Sequence, residues 1–199
     1  NMTVLTGVNT LFNALLNNEE FRKLDFSHLN IVLGGGTAIQ NAVAQRWKEV
    51  TKKPLIQAYG LTETSPAVTI NPFDGRHIDG SIGLPIPSTE VAIRDNDGND
   101  LAPKEIGEIC VRGPQVMVGY WQKPQETAYV FFDDGFLRTG DVGYMDENGY
   151  VFLVDRQKDI ILVSGFNVYP NEIEEVISQH PGVREVAAIG VPHERTGEA

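Results

Sequence analysis

Residues 30–60 read NIVLGGGTAIQNAVAQRWKEVTKKPLIQAYG, and this stretch decides the class of fold. Asn30 to Leu33 is a short apolar run that enters Gly34-Gly35-Gly36, the pattern of a buried strand feeding a tight loop. Thr37 and Gln40 have the spacing of a capping box, and Ile39, Val43, Trp47 and Val50 fall on one helical face. Pro54 ends that helix, Leu55 to Ala58 forms a second short strand, and Tyr59-Gly60 opens another loop. Strand, loop, helix, strand and loop make one unit of a parallel α/β sheet. In such sheets ligands collect at the carboxyl ends of the strands, where both loops fall.

Upstream, residues 7–17 read as a helix, with Leu11 and Leu15, and Phe12 and Leu16, spaced by four. Downstream of residue 77 the period changes to that of strands. Glu90–Arg94 and Ile106–Arg112 flank a turn-rich stretch with Asp97-Gly98. Val142–Met145 and Tyr150–Val154 flank Asn148-Gly149, a strong hairpin signal. This region is expected to be a small antiparallel β-barrel. Ile160–Val163 reads as a strand, 171–179 as a helix stopped by His180-Pro181-Gly182, and Val183–Val191 as a further strand. The fold class is therefore α/β plus β, continuing into an α+β segment. The expected boundaries are 1–76 (end of an α/β subdomain), 77–154 (barrel-like), 155–158 (a polar connection) and 159–199 (start of an α+β domain).

Charge changes at the same boundary. The chain of 199 residues has a formal net charge of −11, with 16 Lys and Arg against 27 Asp and Glu. Residues 1–76 carry 7 basic and 6 acidic side chains, and residues 77–199 carry 9 and 21. That balance argues against a general nucleic-acid binder, which needs clustered cations on phosphates. One cysteine, Cys110, excludes an internal disulfide framework. No run reaches the roughly 18 to 20 apolar residues of a membrane-spanning helix, and no signal-peptide pattern opens the chain. A soluble, cytoplasmic protein is expected. Four scattered histidines show no ligand spacing, so a zinc site is not expected.

Four segments carry chemistry, and each alone has an ordinary alternative. Gly34-Gly35-Gly36 lets backbone approach a ligand but equally suits a plain strand-to-helix turn. Tyr59-Gly60-Leu61-Thr62-Glu63-Thr64 offers a ring to stack on a base, hydroxyls for phosphate and a carboxylate for Mg²⁺; it could also be a polar loop closed by Ser65-Pro66. Arg138-Thr139-Gly140-Asp141 could present a carboxylate to a ribose, or be an Asx turn before a hairpin. Asp155-Arg156-Gln157-Lys158-Asp159 interrupts two apolar strands with five polar residues, as a hinge or an exposed linker would.

In this order and spacing the segments resemble the adenylate-forming enzymes: acyl-CoA synthetases, peptide-synthetase adenylation domains and beetle luciferases. Gly107-Glu108, Gly119-Tyr120-Trp121, and Val168-Tyr169-Pro170 followed by Glu172-Ile173-Glu174 complete the match. Residues 161–170 look most like bacterial long-chain fatty-acid:CoA ligases. The resemblance implies ATP, Mg²⁺, coenzyme A and a fatty acid as partners. It implies that Gly34, Gly35 and Gly36 border the adenine, with Tyr59, Gly60 and Leu61 beside it. It gives Thr62 the α-phosphate, Glu63 the Mg²⁺, Asp141 the ribose diol and Arg156 ribose or phosphate. Lys158 takes the hinge position, and Ser164 and Gly165 lie on the loop that approaches CoA.

The chain also departs from the pattern. The family's Ser/Thr/Gly-rich phosphate loop and its late catalytic lysine have no counterpart, and Leu162 and Asn167 stand where many relatives have Lys and Arg. A fragment of a longer enzyme, unable to complete adenylation alone, is expected. Peripheral contact of that enzyme with the inner membrane would suit a long-chain substrate, although no basic amphipathic helix occurs here. Another carboxylate-activating enzyme (an aryl-CoA ligase or an adenylation domain), or a non-catalytic nucleotide-binding module, are the alternatives.

Overall fold

The computed structural model describes residues 2–180, 182–183 and 185–199. In chain order its elements are β1 (Val4–Gly7), α1 (Asn9–Leu16), α2 (Glu19–Arg22), β2 (Ile31–Gly34), α3 (Asn41–Thr51) and β3 (Ile56–Gly60). After a 3₁₀ turn at Thr62–Thr64 come β4 (Ala67–Ile70), β5 (Leu84–Pro85), β6 (Glu90–Arg94), β7 (Gly107–Arg112), α4 (Pro124–Val130), β8 (Leu137–Met145) and β9 (Val151–Arg156). A second 3₁₀ turn, Gln157–Asp159, leads to β10 (Ile161–Val163), β11 (Phe166–Val168), α5 (Pro170–Ser178), β12 (Pro192–His193) and β13 (Gly197–Glu198).

The α/β unit read from residues 30–60 is present. β1, β2 and β3 pair in parallel, and β4 and β5 extend the sheet antiparallel in the order β1-β2-β3-β4-β5. α1 and α3 bury one stripe each, and Phe12, Leu16, Val32, Val43 and Trp47 form the core between helices and sheet. Phe12 meets Trp47 edge to face with ring centroids 5.0 Å apart, the geometry that the ring quadrupoles favour.

Two local expectations need correction here. α1 begins at Asn9 rather than residue 7, because Val4–Gly7 is drawn into the sheet beside β2. α3 begins at Asn41 after Gln40, and no side chain caps it, so Thr37 and Gln40 do not form a capping box. Their polar groups are used across the fold. The Asn9 amide donates to Thr37 Oγ1 at 3.5 Å, and the Gln40 amide donates to Asn9 Oδ1 at 3.1 Å.

The second sheet is antiparallel, in the order β6-β7-β8-β9, and it does not close into the expected barrel. Closure needs β6 to pair with β9, and the free edge of β9 is already used. Val151 donates to Gly83 O and Ile82 donates to Val151 O, both at 2.9 Å. Four strands are also too few to enclose a filled barrel interior. The Asn148-Gly149 hairpin forms as read, with Gly149 at φ +86° and the Asp146 carboxylate accepting from the Asn148 and Tyr150 amides. The core under this sheet joins Val68 to Ile82, Ile93, Ile109, Val111 and Val151, so residues on either side of position 77 pack together.

The last sheet is small, in the order β11-β10-β13-β12. The strand expected over 183–191 is absent among the described residues; Arg184 of that segment, and Pro181 of the expected helix stop, lie outside them. A strand needs a partner ladder, and here only Val191 has one, exchanging hydrogen bonds with Ala199. α5 is held to β9 by polar contacts. The Asn171 amide donates to Asp155 Oδ2, and its side-chain amide donates to Val154 O, both at 3.0 Å.

Candidate active site

A cleft of about 830 Å³ opens at the carboxyl end of β3. Three chain segments build it: the turn after β3, the middle of β8, and the end of β9.

The first wall is the turn Gly60–Pro66. A side chain at Gly60 would collide with the Pro66 carbonyl, so β3 and β4 approach there only through a glycine. Thr64 is fully buried and ties the turn to itself. Its hydroxyl accepts from the Leu61 amide at 2.9 Å and lies 2.7 Å from the Pro66 carbonyl, to which it donates. This leaves Thr62 exposed and Glu63 on the cleft wall. Glu63 is held from the far side. Its Oε1 accepts from the Tyr120 hydroxyl at 2.9 Å, and its carbonyl accepts from the Met117 amide at 2.7 Å.

The second wall is a bulge in β8. Arg138 lies opposite Cys110 and Val142 opposite Glu108, so Thr139, Gly140 and Asp141 face the single residue Ile109. The surplus pushes this turn out of the ladder and onto the cleft. Asp141 is only 4% exposed. Its Oδ2 accepts from the Tyr59 hydroxyl at 2.6 Å, and Arg156 Nε lies 3.3 Å from Oδ1. Burial pushes the Asp141 carboxyl above its ordinary value, against the opposing pull of Tyr59 and Arg156. Burial, with Asp141 beside it, likewise pushes the Tyr59 phenol upward, so Tyr59 stays a donor.

The third wall is the end of β9. Arg156 pairs across the sheet with Asp141, and its guanidinium is 57% exposed. Gln157 and Lys158 follow on the 3₁₀ turn and also line the cleft.

The expected site residues therefore divide. Gly36, Gly60, Leu61, Thr62, Glu63, Asp141, Arg156 and Lys158 line one cleft. Tyr59 stands behind it on Asp141. Gly34 and Gly35 do not line it, and packing explains them. A Cβ at Gly34 would meet Leu55 at 2.6 Å, and one at Gly35 would meet the Ala58 carbonyl at 2.9 Å. Ser164 and Gly165 sit apart on the exposed β10–β11 turn, both at positive φ. Of the two hydroxyls expected for phosphate, Thr64's is buried and spent within its own turn, so only Thr62 can offer one; sequence reasoning gives Tyr120 and Glu108 no role at the site. Glu108 accepts from the Gly140 amide and from Arg138, directly behind the bulge. The only sequence signal was the Gly107-Glu108 motif itself, since the burial of Glu108 shows only in the structure.

No group of three or more potential metal-binding side chains occurs among the described residues. No helix of the described residues is long and apolar enough to cross a membrane.

Comparison with known proteins fits this geometry. The AMP-binding enzyme model matches residues 1–121, and the model of the AMP-binding enzyme C-terminal domain matches residues 172–199. The long-chain-fatty-acid–CoA ligase of Yersinia pestis is 61% identical over 197 residues, covering 99% of this chain and 35% of that protein. The ligase of the same name from Salmonella typhimurium is 59% identical over 197 residues, with the same coverage. The crystal structure of ATP-bound MatB from Rhodopseudomonas palustris aligns with a TM-score of 0.93 at 40% identity, over 98% of this chain and 39% of that one. The chain therefore spans about a third of the length of the curated relatives it matches. With one family model covering residues 1–121 and its companion covering 172–199, the chain belongs to the AMP-binding enzyme family.

Proposed function

We propose that these residues form the ribose-, phosphate- and hinge-side part of the nucleotide site in an ATP-dependent long-chain fatty-acid:CoA ligase. One observation carries the reading. Asp141 is a buried carboxylate on a cleft wall, held by a phenol on one oxygen and a guanidinium on the other, beside an exposed Thr62 and Glu63. A buried carboxylate with no catalytic proton to move suits a vicinal diol, whose two hydroxyls it accepts together.

In the proposed reaction a carboxylate oxygen of the acid attacks the α-phosphorus of ATP. The bond to the bridging oxygen breaks, and pyrophosphate leaves with that electron pair. The CoA sulfur then attacks the acyl carbonyl carbon, and AMP departs. The first step concentrates negative charge. Thr62 offers a hydroxyl to the α-phosphate, and Arg156 and Lys158 bring positive charge to the same cleft. Glu63 fits Mg²⁺ as the single carboxylate ligand, since that ion is commonly held by one or two carboxylates plus substrate phosphates. Bound there with ATP, Mg²⁺ would neutralise phosphate charge. The 3₁₀ turn Gln157–Asp159 is where the segment beyond β9 would rotate, bringing Ser164 and Gly165 toward the thiol for the second step.

The long-chain assignment rests on the identity to ligases of that name. The test is acid-dependent pyrophosphate release by a protein carrying this chain together with the segments its relatives possess outside the matched region. Palmitate is expected to outperform octanoate and 4-coumarate, and Asp141→Ala is expected to abolish release. Preference for coumarate would move the reading to an aryl-acid ligase, and no acid-dependent release would refute it.

A further inference from the structure

We propose that Glu108 is the positioning residue that holds the β8 bulge in its ribose-binding shape, a role that rests on reading Asp141 as the ribose ligand. Three residues of β8 face one of β7, so the β7–β8 ladder cannot pair all of their backbone groups. Glu108 supplies what the ladder lacks. Its Oε1 accepts from the Gly140 amide at 2.9 Å. Its Oε2 accepts from Arg138 Nε at 3.0 Å and lies 2.9 Å from the second guanidinium nitrogen. Thr139 adds a tether, donating to the Ile109 carbonyl at 2.7 Å and accepting from the Asp141 amide at 3.1 Å. Gly140 sits at φ +71° between them.

Glu108 is 7% exposed and does not line the cleft, so it acts through the turn and not on the ligand. The chemistry also requires the ionised acid. Both of its oxygens face donors, and only a carboxylate is acceptor on both arms. A glutamine would place an N–H₂ against either the Gly140 amide or the Arg138 guanidinium. A second buried carboxylate close to Asp141 is an electrostatic liability, and the bulge geometry is what it secures.

The test compares binding of AMP and 2′,3′-dideoxy-AMP, by calorimetry, to a protein carrying this chain together with the segments its relatives possess outside the matched region, with folding checked by circular dichroism. Glu108→Gln is expected to weaken AMP about tenfold, the scale of one charge-assisted hydrogen bond, and to leave the dideoxy nucleotide unchanged. In an Asp141→Ala background the same substitution is expected to do nothing further. Arg138→Lys, which keeps the charge but loses the fork, should show a weaker ribose-selective loss and serves if Glu108→Gln unfolds. Equal weakening of both nucleotides, or unchanged AMP binding, would overturn the positioning role. If Asp141→Ala leaves the preference for AMP intact, or the wild-type protein with those segments present binds no AMP, the ribose reading itself fails.

Discussion

Replacing Thr64 with Val keeps the shape of a fully buried side chain and removes one hydroxyl. That hydroxyl accepts from the Leu61 amide and donates to the Pro66 carbonyl. The Leu61 carbonyl already receives the Thr64 amide, so it loses little. The Leu61 N–H is left without an acceptor, at about 1–3 kcal/mol, and the Pro66 bond is lost, at about 1 kcal/mol. The expected destabilisation is about 2–4 kcal/mol. Thr64→Ser is the control. It keeps the hydroxyl and loses one buried methyl, at about 0.8 kcal/mol plus a small cavity. Urea unfolding followed by tryptophan fluorescence measures both, since Trp47 is fully buried in the α/β core. The stability order should be Thr, then Ser, then Val. Because the turn carries Thr62 and Glu63, the Val variant should also bind ATP more weakly. A Val variant as stable as the Ser variant would refute the assignment of the turn's shape to this hydroxyl.

Three further outcomes are expected. On the ribose role proposed for Asp141, AMP affinity should fall on acidification, because the diol would need an ionised acceptor and burial holds the Asp141 carboxyl above its ordinary value of 3.8. The fall should therefore begin above that value, and an Asp141→Asn variant titrated the same way should show none of it. Trp47→Ala should cost about 3–5 kcal/mol in the same urea assay, as removal of a large core aromatic does, and a loss under 1 kcal/mol would contradict the packing with Phe12 and Phe21. Cys110 is fully buried, and burial pushes its thiol up to about 12. It should resist iodoacetamide in the native chain and react in urea, with rapid native alkylation as the contrary result.

Much of the fold was legible because its signals are local. Asn148-Gly149 demands a tight hairpin by backbone conformation alone, and the run from Asn30 to Gly36 announces a strand and its loop. What escaped is set by distant partners. β1 is a strand because β2 lies beside it, and nothing within Val4–Gly7 says so. α4 buries no residue and so has no apolar stripe to read. Barrel closure depended on which segment occupied the edge of β9, and Gly83 is far from it in sequence. The cleft residues were legible through a family resemblance, not through spacing. Gly34 and Gly35 answer to Leu55 and Ala58, and only Gly36 reaches the cleft. Glu108 was named in a motif but given no role, because a strand Glu reads as a solvent-facing position until the ladder opposite it is known to bulge.

That bulge gives β8 an unusual distribution of solvent exchange. β8 is an inner strand with neighbours on both sides, and inner strands normally release amide protons only when the sheet opens. The Gly140 and Asp141 amides are instead held by a carboxylate and a hydroxyl. Side-chain rotation alone frees them, with no strand separating from its neighbour. The midpoint of β8 should thus exchange with deuterium ahead of the ladder residues on either side of it. A slowly exchanging strand with one fast link at its centre lets the order of the cleft be followed, amide by amide, before any nucleotide is added.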